Sequence, residues 1–225
     1  MTEPNTLVKL ISLAKKEFNK GNFNTSIIYL NNAIEIYPNN DNLYQSRADA
    51  KSILGDNEGA IDDYTKAIEI DPDFGDFYFF RATAKEKLGD YQGAIDDYTK
   101  AIEIDDIYDY YKLRAFAKEK LGDYQGAIDD YTIALEEDDT FYVERGRAKE
   151  KLKDYQGAID DYSNLIEIDP SASFYYEIRG KAKFELKDYQ GACADWKKAA
   201  ELGSEEAAEL LKKHCENWEK YHLMR

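Results

Sequence analysis

The side chains of this sequence best suited to chemistry are its carboxylates. Asp62-Asp63, Asp96-Asp97, Asp129-Asp130 and Asp160-Asp161 stand in adjacent pairs, and two acids held close together are common equipment for general acid–base work. A catalytic dyad is needed once, whereas these pairs return at a nearly fixed interval, as a salt-bridged or solvated helical ridge does. Other reactive groups are few. The two histidines, His214 and His222, both lie near the end of the chain, and Cys193 and Cys215 lack the CxxC spacing of a metal or redox site. Asp71 to Asp76 opens like a calcium loop, but its sixth place is Asp76 where Gly is needed and its twelfth is Ala82 where Glu is needed. No glycine-rich phosphate loop is present. With no nucleophile, base or metal constellation, the expectation is a chain that is not an enzyme and takes no metal and no cofactor.

What positions the carboxylates is a repeat. GDYQGAIDDYTKAIEID starts at Gly89, and related segments start at Gly21, Gly55, Gly122, Lys153 and Lys187, with successive offsets of 34, 34, 33, 31 and 34. That is a structural period. Each unit carries two helical patterns. In the third, Tyr91, Ala94, Ile95, Tyr98, Ala101 and Ile102 make one apolar stripe at i, i+3, i+4, i+7, i+10 and i+11. The segment before it, Asp76 to Leu88, is expected to turn Tyr78, Ala82 and Leu88 inward and to stop at Gly89, which tolerates positive φ. Asp90 then caps the second helix, as do Asp56, Asp123, Asp154 and Asp188, with Asn22 in the first unit. A single helical hairpin cannot bury its apolar face alone, so neighbours must stack. Cys193 stands where other units have Ile and is expected to be a small core residue.

The residues that recur carry a resemblance to a known family. An aromatic early in the first helix (Tyr44, Tyr78, Tyr111, Tyr142, Tyr176) is followed four residues on by a small one (Ala48, Ala82, Ala115, Gly146, Gly180). The second helix contributes Ala60, Ala94, Ala127, Ala158 and Ala192, then an aromatic at Tyr64, Tyr98, Tyr131, Tyr162 and Trp196, and some units close on Pro38, Pro72 or Pro170. This resembles the tetratricopeptide repeat. The resemblance implies an all-α fold, a right-handed α-solenoid of six stacked helix-turn-helix units with a C-terminal capping helix. The organisation expected is a lead at 1–6, repeats at 7–40, 41–74, 75–107, 108–138, 139–172 and 173–203, and a capping helix with an apolar tail at 204–225. The tract before unit five is shorter by about one helical turn, since Ala134 to Tyr142 is eight steps and Ala67 to Tyr78 eleven.

Departures from the family pattern are informative. The usual Leu three residues after the first aromatic is Arg at Arg47, Arg81, Arg114, Arg145 and Arg179. In the same five units the residue before the second-helix aromatic is Asp, at Asp63, Asp97, Asp130, Asp161 and Asp195, whereas unit one has Leu13 and Tyr29. Because both change together, each Arg is expected to bridge its two helices to an Asp. The late first-helix aromatic is replaced by Lys51, Lys85, Lys118, Lys149 and Lys183, whose ammonium groups are expected to reach water or the second acidic row, Asp62, Asp96, Asp129 and Asp160.

In proteins similar to this one the first helices line a concave groove, and function lies there. Carried over unit by unit, one row of groove positions reads Ile11, Gln45, Phe79, Lys112, Val143, Glu177, and a second reads Lys15, Asp49, Thr83, Phe116, Arg147, Lys181. The peptide-binding residues expected from these rows are Phe79, Phe80, Lys112, Phe116, Arg147 and Lys181. They suit an extended peptide with an apolar anchor followed by acidic residues or a carboxylate. No three successive units carry the carboxylate clamp of chaperone-binding members, which argues against chaperone tails as ligands. The partner is therefore expected to be a protein or peptide of unknown identity. The alternative is self-association, a homodimer built through the capping helix and the tail residues Trp218, Tyr221, Leu223 and Met224.

Charge agrees with this reading. A net charge of −16 leaves no basic stripe for a phosphate backbone, so nucleic acid is not an expected partner. No run approaches the length of a membrane span, and lysines follow the apolar stretch Leu7 to Ala14, the wrong order for a signal peptide, so a cytoplasmic location is expected.

Overall fold

The computed structural model describes residues 3–215. Its helices follow the repeat. The chain falls into two compact units, Met1–Leu121 and Gly122–Arg225. The first holds α1 (Glu3–Asn19), α2 (Phe23–Ile36), α3 (Asp41–Ile53), α4 (Asn57–Ile70), α5 (Gly75–Lys87), α6 (Tyr91–Ile104) and α7 (Tyr108–Lys120). The second holds α8 (Tyr124–Ala134), a short 3-10 turn (Asp139–Phe141), α9 (Tyr142–Lys151), α10 (Tyr155–Ile168), α11 (Ser173–Glu185), α12 (Tyr189–Glu201) and α13 (Glu205–His214). There is no strand among the described residues, and within each unit every helix packs against its chain neighbours, so the fold is an all-α stack of hairpins. Helix α8 has 11 residues where α4, α6 and α10 have 14, and the 3-10 turn occupies the shortened connection.

The second helices form the core stripe. Ala60, Tyr64 and Ala67 of α4, and Ala94, Tyr98 and Ala101 of α6, are all within 2% of complete burial. The small residue of the first helix lets each ring lie close. A Cβ on Gly146 would stand 2.4 Å from the Tyr162 ring and one on Gly180 2.6 Å from Trp196 Nε1, so these two units use glycine where the others tolerate alanine.

The first helices bear out part of the expectation: Ala82 is fully buried, but near the start of each helix the buried residue is the one before the expected aromatic, at Leu43, Phe77 and Tyr110, and Leu88 is 49% exposed at the C-terminal end of α5. Tyr78 is half-buried, and the Arg81 guanidinium carbon lies 5.7 Å from its ring centre.

Asp56, Asp90, Asp123, Asp154 and Asp188 each accept a hydrogen bond from the amide three residues on, which belongs to Gly59, Gly93, Gly126, Gly157 or Gly191. A Cβ on any of those glycines would lie 2.1 to 2.3 Å from the capping carboxylate, which explains the recurrent Gly before Ala. Asn22 departs from this role. It occupies the N-cap place of α2 without a capping bond, and its Nδ2 donates to Glu17 Oε2 at 2.7 Å.

The turns between paired helices need positive φ. Lys153 and Lys187 adopt it at 63° and 70° although glycine fills the place in the other four repeats, at Gly21, Gly55, Gly89 and Gly122. A side chain there costs roughly 1–2 kcal/mol, partly offset by the greater freedom of glycine in the unfolded chain. Lys153→Gly is expected to gain up to about 1 kcal/mol, read as a Tm raised by a few degrees; an unchanged or lowered Tm would contradict the strain.

Cys193 does not act as an unpaired core residue. Its sulfur is bonded to that of Cys215, with the two Cα atoms 5.8 Å apart, so the residue after α13 is fastened to α12. Ser204 caps α13 by accepting from the Ala207 amide, and Ala207 is fully buried against α12. The tail residues Trp218, Tyr221, Leu223 and Met224, and His222, lie outside the described residues.

Candidate functional site

Charge on the first helices is largely consumed inside the repeats. Arg47 donates from Nε and Nη2 to the two oxygens of Asp63 at 2.9 and 2.6 Å, and Arg81 does the same to Asp97. In the second unit Arg145 is paired in this way with Asp161, and Arg179 with Asp195. Arg114 and Asp130 belong to different units, and their pairing stays an expectation from the sequence. The lysines go to the same carboxylates and not to the second acidic row: Lys51 to Asp63, Lys85 to Asp97, Lys149 to Asp161 and Lys183 to Asp195, at 2.8 to 2.9 Å. Asp63, Asp97, Asp161 and Asp195 are buried, whereas Asp62, Asp96 and Asp160 are exposed, so the buried member of each pair claims both cations.

Each arginine also reaches backward. Its Nη1 donates to Asn31, Thr65, Thr99, Thr132 or Ser163 on the preceding second helix, at 2.6 to 3.1 Å. Thr65, Thr99, Thr132 and Ser163 in turn donate to the carbonyl four residues earlier, which fixes the hydroxyl as an acceptor for arginine. Sequence reasoning missed this third partner. Its signal is a hydroxyl or amide side chain 13 to 16 residues before every arginine.

The six expected groove residues do not share one environment. Phe79 packs on Tyr110 and Phe80 at ring separations of 4.8 and 5.2 Å, and Phe80 stacks on Tyr64 at 6.0 Å, so both fill space between neighbouring repeats. Lys112 is paired with Asp109 on its own helix. Lys181 is held by Glu177 and Glu206 at 2.8 and 2.7 Å, and although burial opposes its charge, these two acids keep its pKa above the ordinary lysine range. Phe116 and Arg147 remain exposed, with Lys120 over the Phe116 ring at 4.6 Å and the Arg147 guanidinium 5.8 Å from the Phe174 ring. The local basic stretch expected from Lys112, Arg147 and Lys181 is thus mostly neutralised by neighbouring carboxylates.

An open cavity of about 420 Å3 lies instead in the first unit, among α1, α2 and α3. Its floor is Ala14, Leu30 and Leu43, and its rim carries Lys15, Asn19, Ser46 and Asp49. The repeat explains why it is open. One period further on, Leu30 and Ser46 correspond to Tyr64 and Phe80, the stacked pair that closes the next junction. Asp49 is half-buried, and the Tyr64 hydroxyl donates to its Oδ1 at 2.7 Å. Burial raises the Asp49 carboxyl above its ordinary pKa, and the Tyr64 hydrogen bond only partly opposes this. Among the described residues no cation stands within ion-pair distance of Asp49.

The described chain is therefore a helical-repeat protein whose open features are surfaces between hairpins. Family models agree: one described as TPR repeat matches residues 48–89, and others described as tetratricopeptide repeat match residues 75–108 and 113–173. The chain belongs to the tetratricopeptide repeat family. No curated protein matches it. Among solved structures, the C-terminal part of a TPR repeat-containing protein from Cytophaga hutchinsonii is similar at TM-score 0.73 and 20% identity, covering 84% of this chain and 77% of that one. YrrB, described as a TPR protein with an unusual peptide-binding site, gives TM-score 0.69 and 20% identity over 82% of this chain and 97% of its own. The MamA protein gives 0.57 and 19% over 94% and 97%. These likenesses concern the fold alone; membership of the repeat family is what supports a protein-interaction scaffold. No described helix is long and apolar enough to cross a membrane.

Proposed function

We propose that this protein is a non-enzymatic scaffold that holds an extended peptide segment of a partner protein against its first helices. The open cavity among α1, α2 and α3 carries this reading, because it leaves an apolar floor and several hydrogen-bonding side chains uncovered. Asn19 and Ser46 supply donors and acceptors that suit an extended main chain, and Lys15 supplies a cation. In the same compact unit, Phe116 is a further exposed group of a first helix that a longer segment would meet. The family resemblance, and the peptide-binding site named for YrrB, point the same way.

A photo-crosslinking amino acid placed at Ser46 or Phe116 is expected to capture a partner that the same group at Asp62, exposed on the second helix α4, does not. Capture only from Asp62, or only of a second copy of this chain through α13, would overturn the reading and favour self-association.

A further inference from the structure

We infer that the cavity of the first unit recognises a peptide segment in which an aromatic residue stands beside a lysine or arginine, the ring entering between Leu30 and Ser46 and the cation meeting Asp49. This rests on the reading of the first helices as the peptide-binding face, and it adds the chemistry of the ligand.

The aromatic half follows from comparing two junctions of the same repeat. Where α3 to α5 meet, Ala48, Ala60, Tyr64 and Ala84 are buried with Phe80 packed on them. One period earlier those places are Ala14, Ser26, Leu30, Ala50 and Ser46. The frame of small residues is the same, with Ser26 satisfied by donating to the Ala14 carbonyl at 2.9 Å. Only the two rings are missing, and the space they would fill is the cavity. A ligand ring there regains the contacts that Phe80 makes in the next junction.

The cationic half follows from Asp49. The neighbouring buried acids Asp63 and Asp97 each have an arginine and a lysine, whereas Asp49 has a tyrosine hydroxyl alone. A half-buried carboxylate on the wall of an apolar cavity is best completed by a cation that arrives with the ligand. Lys15 also lines the cavity and is exposed, able to turn to a backbone carbonyl of the same segment. The net charge of −16 favours approach of a basic segment over long range. The acidic peptide expected from Lys112, Arg147 and Lys181 loses its ground once Lys112 and Lys181 are seen paired.

The test is selection from a phage library of random dodecapeptides on the full chain, on Asp49→Asn and on Ser46→Phe. Asparagine still accepts from Tyr64, and phenylalanine supplies the ring found one repeat later, so both variants are built to keep the fold, which circular dichroism checks. Wild type is expected to enrich sequences with an aromatic next to Lys or Arg at least fivefold over the unselected library. Asp49→Asn should keep the aromatic and lose the basic enrichment, and Ser46→Phe should lose both. Enrichment without basic residues, or an Asp49→Asn profile equal to wild type, overturns this inference and leaves the peptide-binding reading standing. No enrichment of any kind on wild type overturns both.

Discussion

Asp161→Ala is expected to lower stability by about 3–5 kcal/mol, the largest effect of any single substitution discussed for this chain. Asp161 is 1% exposed and is the sole carboxylate shown to receive Arg145, through Nε at 3.1 Å and Nη2 at 2.7 Å, together with Lys149 at 2.9 Å. Removing it leaves two cations partly buried, Arg145 with the Tyr142 ring at 5.3 Å and the Thr132 hydroxyl, and Lys149 with the Gly157 carbonyl. Their desolvation is then uncompensated, and that penalty exceeds what the pair itself contributes. Replacing the group together, as Arg145→Leu, Lys149→Met and Asp161→Leu, removes the stranded charge and should cost less than half as much. Urea midpoints of the two variants measure this. Equal losses would mean that the cluster stabilises by its attraction alone.

The second large effect concerns the end of the stack. Loss of the Cys193–Cys215 bond, by Cys215→Ser or by a dithiol reductant, is expected to cost about 3 kcal/mol, since it closes a loop of 22 residues. In a repeat stack that loss is felt locally. The exchange rate of amides in α13 should rise by orders of magnitude, while those of α4 and α6 stay as they were. Uniform acceleration along the chain would contradict the local account. A bond of this kind persists in oxidising surroundings and is rare where thiols are kept reduced, so the state of α13 depends on where the protein resides.

How much of this was open to reading from residues alone depends on what each one touches. The second-helix stripe was legible because Ala94, Tyr98 and Ala101 pack by periodicity alone, with no competing partner. On the first helix Ala82 was legible, but the aromatic was misplaced by one position: a Tyr at 78 and a Phe at 77 are equally apolar in a pattern, whereas in the structure Phe77 is buried against Phe74 and the Tyr78 ring faces Arg81. The lysine partners were misassigned for a related reason: adjacent acids such as Asp62 and Asp63 differ in burial, which a dipeptide does not express. The disulfide joined residues 22 apart that no local pattern links, although an even cysteine count was a hint. The cavity was legible in principle. It required aligning Leu30 and Ser46 with Tyr64 and Phe80 and asking what is absent, a question that a search for recurring groove positions does not pose.

The most direct test of the peptide-binding account is hydrogen exchange of the full chain with and without a peptide taken from the wild-type selection. The account predicts slowed exchange in α1 and α3, with α4 and α6 unchanged and no slowing in Ser46→Phe. Slowing confined to second helices or to α13, or slowing in α1 and α3 that survives Ser46→Phe, would contradict it.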